Sequence, residues 1–496
     1  MRTLAPTERA HPHLYEINTW VWLEELSATQ GRTITLGTVP DKEWDALRTL
    51  GFDFVWLLGV WKRSPAGRRI SRTNESLFPS YAEALPGWKQ TNVVGSPFAV
   101  QSYRPDPRIG TWEEIDRARR KLQARNMGLI LDFVPNHTAP DHPWVTRHPD
   151  YYITIDRDEH RQNPAASFAV EHNGRPRYVA HGRDPYFPPW PDTAQLNYFH
   201  QPTRDAVVAE LRKIAAHCDG IRCDMAMLLL SDVFANTWGR YLPQGDRPQH
   251  EFWSEAIAAV PGLLLIAEVY WDLEWRLQQL GFRFTYDKRL YDRLRGGLTR
   301  DIYLHLTADL AYQSRLVRFL ENHDEPRSAA AFGAERLPAL ACLVATLPGM
   351  RFYHQGQLDG RTHRVPVELA KTAQEATDPI VRSLYHKLLR QTREAVFHKG
   401  DWRLLEVRSA GDLSCESLIA YQWRLDKTWK LVVVNLGAHT AHGRVLLAGE
   451  ASAIEQYLLI DELDGQAYER DGGGLAHNGL YVRLEPYRAH LFTVSC

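Results

Sequence analysis

The 496-residue chain predicts an α/β protein built on a (β/α)8 TIM barrel, with an inserted subdomain after the third strand and a C-terminal β-sandwich domain. Three observations carry this. Eight apolar runs of strand length alternate with amphipathic helical stretches from residue 15 to about residue 398. One stretch, Thr138 to Trp190, breaks the alternation, and after Lys399 the helical period gives way to short alternating strands. Strands that alternate with helices require right-handed crossovers and a parallel sheet, and eight such units favour closure into a barrel over an open, doubly wound sheet. No Gly-x-Gly-x-x-Gly follows the first run, so the dinucleotide-binding alternative loses its main support.

In order, the strand runs are YEINTWVWL from Tyr15, FDFVWLLGV from Phe52, MGLILDFV from Met127, GIRCDMA from Gly220, LLLIAEVYW from Leu263, FRFTYDK from Phe282, RLVRFLE from Arg315 and MRFYHQ from Met350. The clearest helices between them are KEWDALRTLG, ending at Gly51, TWEEIDRARRKLQARN from Thr111, and TRDAVVAELRKIAAH from Thr203, whose apolar positions recur at three and four. Residues 138–190, rich in Pro, His, Tyr and Asp, are far longer than an ordinary strand-to-helix loop and read as an insert over one end of the barrel. The barrel is therefore assigned to residues 1–137 and 191–398. Residues 399–496, with LIAYQWRL, KLVVVNLG, GRVLLAG, QYLLID and GLYVRLEP between Gly, Asp and Asn turns, are assigned to the sandwich. DGGG at Asp471 reads as a turn and not a phosphate cradle, since no helical pattern follows it.

Composition narrows the function. Lys and Arg total 59 against 60 Asp and Glu, a net charge of −1, which argues against nucleic acid or a polybasic membrane surface as partner and for a neutral or small polar substrate. The N-terminus lacks a secretory h-region, and the apolar stretch LPALACLVATLPGM is too short to span a bilayer, so a cytoplasmic protein is expected. Cys218, Cys223, Cys342, Cys415 and Cys496 are odd in number and irregular in spacing; they predict neither a disulfide framework nor a metal site, and the first two read as buried hydrophobes.

Acidic residues close several strand runs: Asp132 after GLIL, Asp224 after GIRC, Glu268 after LLLIA, and Glu321 and Asp324 after RLVRF. In this fold the active site is assembled at the C-terminal ends of several strands, so the set marks a catalytic rim. Glycoside cleavage needs such acids: one carboxylate as nucleophile or base, and one carboxyl of raised pKa as proton donor. The interleaved His and aromatic residues suit a sugar, whose hydroxyls take hydrogen bonds and whose ring face stacks on Tyr or Trp. Retention and inversion both remain open from the residues alone.

DFVPNH (Asp132 to His137), GIRCD (Gly220 to Asp224), EVYW (Glu268 to Trp271) and ENHD (Glu321 to Asp324) resemble, in order, the four signature regions of the α-amylase family, glycoside hydrolase family 13. That resemblance implies a retaining double displacement with Asp224 as nucleophile, Glu268 as general acid/base and Asp324 as transition-state stabiliser. It implies that Arg222 keeps the nucleophile ionised, that His137 and His323 bind hydroxyls of the cleaved sugar, that Asp132 orders the site, and that Tyr103 stacks on the same sugar. No cofactor is implied; a calcium-site role for Asn136 is matched by a plain structural hydrogen bond. Two departures bear on substrate. Met227 and Leu228 stand where many endo-acting members carry a Lys-His pair, predicting an apolar lining there and counting against both long-polymer binding and the calcium site associated with that pair, so that calcium is possible but not supported. Ala99 and Ser102 stand where glucosidase-like members often have Asp. The expected function is a retaining α-glycoside hydrolase acting on small α-glucosides or malto-oligosaccharides. A transglycosylase or phosphorylase using the same intermediate is the alternative, and a non-catalytic carbohydrate-binding protein a third.

Overall fold

A computed structural model describes residues 9–242, 248–447 and 456–495. Eight parallel strands close into a barrel in sequential order: β1 (His13–Asn18), β2 (Phe54–Leu58), β3 (Gly128–Phe133), β4 (Gly220–Cys223), β5 (Leu264–Ala267), β6 (Phe284–Tyr286), β7 (Leu316–Arg318) and β8 (Met350–His354). β8 pairs back onto β1 with Tyr15 opposite Tyr353, and each of the eight strands lies within one of the eight apolar runs, or begins two residues before it in the case of β1. These strands are buried along nearly their whole length, which is why they read as continuous apolar runs and not as alternating ones.

The first run is an exception in length. The pattern of YEINTWVWL predicts one strand, but β1 stops at Asn18 and a helix covers Thr19–Gln30. The Asn18 side chain accepts the Val21 N–H at 3.3 Å, a capping geometry that ends the strand, and Trp22 then packs edge-on to Trp44 at 5.2 Å.

Two excursions rise between strands and helices. In residues 138–190 a small antiparallel sheet has Arg175–Ala180 at its centre, flanked by Thr154–Ile155 and Ser167–His172. Its stem pairs His137 with Gln195 and Thr138 with Ala194, so the insert is rooted at a predicted site residue. The second excursion, which no break in the sequence pattern separates from the barrel, runs through a helix at Pro65–Thr73 and an antiparallel pairing of Trp61–Arg63 with Val100–Pro105.

The C-terminal region forms a six-stranded and a three-stranded antiparallel sheet that share one core, with Leu405, Leu431 and Val433 facing Val445, Val482 and Leu484. The end of GRVLLAG lies outside the described residues. At DGGG the expectation of a turn without a helix is corrected: Gly472–Asn478 is helical, capped by Asp471, whose carboxylate accepts the Gly474 N–H at 2.7 Å. The apolar stretch near LPALACLVATLPGM belongs to a kinked helix, Ser328–Thr346, long and apolar enough by composition to cross a membrane. Here it is a core helix, since Leu337 and Ala339 to Thr346 are buried and Thr346 O accepts the indole N–H of Trp423 from the C-terminal sheet.

Candidate active site

Strand β4 sets the site. GIRC is fully buried, and at Gly220 a Cβ would lie 2.5 Å from the Ile130 side chain and 2.8 Å from Leu264 O, so the strand is locked tightly between β3 and β5. Two residues on, Arg222 points into the barrel mouth. Its Nη1 donates to Asp224 Oδ1 at 2.7 Å, and its Nη2 lies 2.8 Å from Glu268 Oε2 as an ion pair that is not aligned for a hydrogen bond. One guanidinium therefore holds both carboxylates, from the ends of β4 and β5, at adjacent nitrogens. Three aromatic faces enclose it: Trp56 at 5.2 Å, Phe98 at 5.4 Å and Tyr286 at 5.7 Å. Burial alone would lower the Arg222 pKa, but Glu268, Tyr286 and Asp224 drive it well above its ordinary value, so the cation is permanent.

Directly after Asp224, Met225 takes a left-handed φ of 43°, and its N–H donates to Glu268 Oε2 at 2.7 Å. A non-glycine residue in that region is a strained turn held by its surroundings, and here the turn aims a backbone donor at the second carboxylate. The other Glu268 oxygen accepts from the Tyr270 hydroxyl at 2.7 Å. Burial pushes the Glu268 pKa up; Arg222 opposes this, while Asp224 and Asp324 add to it. Burial also raises Asp224, again against the pull of Arg222.

Asp324 stands apart from this pair in exposure: 49% of its side chain is open, whereas Asp224 and Glu268 are buried. Its carboxylate lies 3.1 Å from His323 Nε2, and the opposite ring nitrogen, Nδ1, is bonded to Glu16 Oε1 at 2.6 Å. Burial works against the charge on Asp324, but His323 prevails and holds the carboxyl below the usual range. The imidazole in turn, despite burial, is raised well above its ordinary value by Asp324 and Glu16. Glu16, at the third-last position of β1, is fully buried; it was missed in the sequence because its run ends in neither an acid-rich motif nor a His.

Asp132, at the end of β3, is a scaffold for the rim. It accepts from Trp56 Nε1 at 2.9 Å and from Gly59 N at 2.6 Å, the latter made possible by a left-handed glycine at φ 76°. Burial pushes its carboxyl up to about 6, with Arg222, Gly59 and Trp56 opposing. His137 is buried beside Trp190, and its Nε2 has no hydrogen-bond partner among the described residues; burial lowers it to about 4, leaving a neutral imidazole.

Tyr103 is placed differently from the expectation. Its hydroxyl exchanges two 2.9 Å bonds with the backbone of Val134, and its ring packs on Trp61 and Phe133. The aromatic that faces the charged centre is Phe98, five residues earlier, stacked on His323 at 5.4 Å and over Arg222. Met227 and Leu228 are corrected as well: they are buried in a short 3-10 turn and form core, not an apolar lining, while half-buried Met225 is the residue at the rim. Glu321 is absorbed structurally, with Arg327 at 2.7 Å, both Ser328 donors at 2.7 Å and His354 at 3.3 Å.

The calcium question turns on Asn136. Its backbone O and its Oδ1 both accept from the Gln195 amide nitrogen, at 2.9 and 3.2 Å, and no carboxylate enters this cluster of bonds. A donor stands where a cation would need oxygens, so these residues do not fit a calcium ion. Elsewhere, His13, Asp53 and His398 bring metal-ligating atoms within 4.8 Å of one another at the opposite end of the barrel, where Arg9 pairs with Asp53. Cys218, Cys223, Cys342 and Cys415 are free and buried, and Cys496 lies outside the described residues.

Residues 41–275 match the family model described as alpha amylase, catalytic domain. Alpha-amylase 3 of Dictyoglomus thermophilum is 26% identical over 299 residues, 56% of this chain and 56% of that protein. An alpha-1,4-glucan:maltose-1-phosphate maltosyltransferase of Streptomyces coelicolor is 24% identical over 497 residues, 90% of this chain and 62% of that protein. The matched segments thus span little more than half the length of these relatives. The fold superposes on a maltogenic alpha-amylase of Thermotoga neapolitana with a TM-score of 0.70 at 19% identity, covering 99% of this chain and 100% of that one.

Proposed function

Because the chain belongs to the α-amylase family, we propose that it is a retaining α-glycoside hydrolase acting on small α-glucosides or malto-oligosaccharides. The observation that carries this reading is the single guanidinium of Arg222, which holds Asp224 and Glu268 at its two terminal nitrogens. Two carboxyls gripped by one such group are neighbours on one side of the barrel mouth, the arrangement a nucleophile and its acid partner need in double displacement.

In this reading Asp224 attacks the anomeric carbon while protonated Glu268 gives its proton to the departing oxygen. Water, deprotonated by the same Glu268, then releases the sugar from Asp224. Arg222 keeps Asp224 anionic, Asp324 offers its exposed carboxylate to sugar hydroxyls, and the free His137 Nε2 and the face of Phe98 complete the sugar side.

The test combines products and stereochemistry. Maltotetraose, trehalose, sucrose and an aryl α-glucoside are incubated with and without phosphate, with Asp224→Ala as control, and the first-formed anomer is read by NMR. Expected are free glucose or maltose, first released as the α-anomer, independent of phosphate and absent from the variant. A β-anomer would overturn retention; a sugar phosphate or lengthened oligomers would move the reading to a phosphorylase or transglycosylase.

A further inference from the structure

At the N-terminal end of the barrel, opposite the candidate active site, three buried side-chain atoms have no hydrogen-bond partner among the described residues: His13 Nδ1, Asp53 Oδ1 and His398 Nδ1. They belong to one cluster. His13 opens β1, Asp53 immediately precedes β2, and His398 lies on a short helix, Val396–Lys399, next to the start of the C-terminal domain. The three residues bring ligating atoms within 4.8 Å of one another; His13 Nδ1 stands 3.8 Å from Asp53 Oδ2, and the two imidazole rings meet edge-on at 5.4 Å. His13 and Asp53 are 0% and 1% exposed, so solvent does not satisfy them.

The imidazoles are held in the form that ligates. His13 Nε2 faces Thr392 Oγ1 at 3.0 Å, and that hydroxyl gives its own proton to Leu388 O at 2.9 Å, so it can only accept from the ring. The proton is thereby fixed on Nε2, and Nδ1 is left as a bare lone pair, the arrangement in which a histidine binds a metal. Burial, reinforced by Arg351, lowers the His13 pKa well below its ordinary value and brings His398 down to about 3, so both rings are neutral at physiological pH. Asp53 is fixed through its other oxygen, since Oδ2 accepts the His13 N–H at 2.8 Å.

The cation beside Asp53 is Arg9, paired with Oδ1. It fits poorly: burial, aided by Arg48, lowers its pKa, and its nitrogens satisfy neither imidazole Nδ1. Arg351 is engaged elsewhere, donating to the carbonyls of Leu347, His11 and Phe397. We propose that His13, Asp53 and His398 form a binding site for a divalent transition-metal ion of the zinc type, with Arg9 as the internal cation that the metal displaces. Two imidazole nitrogens and one carboxylate oxygen suit such an ion, with a fourth position left to water, whereas calcium and magnesium call for oxygen throughout. Zinc bonds of about 2.0–2.2 Å place tetrahedral ligands roughly 3.4 Å apart, so the cluster contracts by about 1 Å on binding. His398, partly exposed on its four-residue helix, is the ligand least constrained by the barrel, and Arg9, with 15% of its side chain open, leaves toward solvent. The bound ion ties the starts of β1 and β2 to the segment that leads into the C-terminal domain, which stabilises the fold without touching the catalytic rim.

Because Arg9 supplies the charge when no metal is added, chelation alone changes nothing and addition of metal is the informative step. The full chain, treated with EDTA and then freed of it, is dialysed against Zn²⁺ and its metal content measured; Co²⁺ is added in parallel, since its visible bands report a tetrahedral shell. Expected are one ion per chain, tetrahedral cobalt bands and a melting temperature that rises with zinc. Arg9→Gln removes the competing cation and should bind zinc about tenfold more tightly, while His398→Ala, which leaves the β1–β2 pairing untouched, should bind at least about a hundredfold more weakly. Melting temperature without metal serves as the folding control for both variants. Equal zinc uptake by the unaltered protein and His398→Ala overturns the site, and so does an Arg9→Gln protein that folds and takes up no zinc, since nothing then competes for the ligands.

Discussion

The two walls of the proposed site are built in opposite ways. The sugar-side wall, Asp132, His137, Phe98, His323 and Asp324, rises from barrel strand ends and, for Phe98, from the excursion after β2, and apart from His137 Nε2 and the open side of Asp324 its polar groups are tied to named neighbours. The wall beside Glu268, made of Met225, Tyr270 and Trp271 with Tyr186 and Phe187 beyond them, rises from strained turns and an inserted loop, and ends in open aromatic faces. One wall fixes charges in a low-dielectric setting where a transition state can use them; the other offers area to whatever departs or arrives. Chemistry and specificity are thereby separated, with Glu268 the group that belongs to both.

The sharpest break in this division is Glu268→Gln. The variant keeps the Tyr270 and Met225 contacts in size but cannot give a proton. Turnover of maltotetraose should fall by roughly 10²–10⁴, the usual worth of general acid catalysis, with a far smaller fall on α-glucosyl fluoride, which leaves without help. Equal losses on both would remove Glu268 from the acid role. The pH profile carries the same test. Burial raises the Glu268 pKa, helped by Asp224 and Asp324, so the protonated form persists above the ordinary glutamate value and kcat/KM should decline only as pH rises through the shifted one. In the Gln variant that basic limb disappears on the fluoride.

Glu16→Gln probes the sugar-side wall alone. Glu16 touches no reacting atom; it is a positioning residue that holds His323 charged and oriented toward Asp324. Loss of the carboxylate removes one of the two charges that raise His323, so its pKa must fall. We expect kcat/KM to drop about 10–100-fold, as for other groups that orient a contacting residue, with a new fall in activity toward high pH as His323 loses its proton. A purely structural role would lower the melting temperature and leave the pH profile where it was.

The same division explains what could be read from sequence. The barrel was legible because buried parallel strands must be continuous apolar runs, and the acids at their ends were legible because this fold exposes only those ends. Side chains three residues apart on one strand end were harder to sort: Glu321 and Asp324 look alike in ENHD, yet Arg327, Ser328 and His354 absorb the first while the second stays open. Tyr103 was hard to place for a related reason, since it shares one aromatic-bearing segment with Phe98 and only the third dimension reveals that the Val134 backbone takes the tyrosine hydroxyl. Glu16 needed the barrel to close, because its partner His323 is 307 residues away. The contact between Tyr186 and Trp271 was least legible, since it joins the insert to the turn after β5 across 85 residues of chain.

The smallest expected effect concerns the root of the insert, where the two walls meet. In the stem that pairs His137 with Gln195, the Gln195 amide nitrogen donates to Asn136 O and Oδ1 and to Leu196 O, so it supplies the positive end that a cation would otherwise supply to the same carbonyls. An amide does this without a carboxylate and without a free ion, and the oxygens are already satisfied. EDTA should therefore move neither activity nor melting temperature by more than about 1 °C, since a ligand absent from the folded state contributes nothing to its stability. Gln195→Glu reverses the chemistry: it replaces the donor by an acceptor beside two carbonyl oxygens, lowers the melting temperature in EDTA, and should recover part of the loss when calcium is added. A fall with EDTA in the unaltered protein would return the metal to the site and make Gln195 a neighbour of the ion and not its replacement.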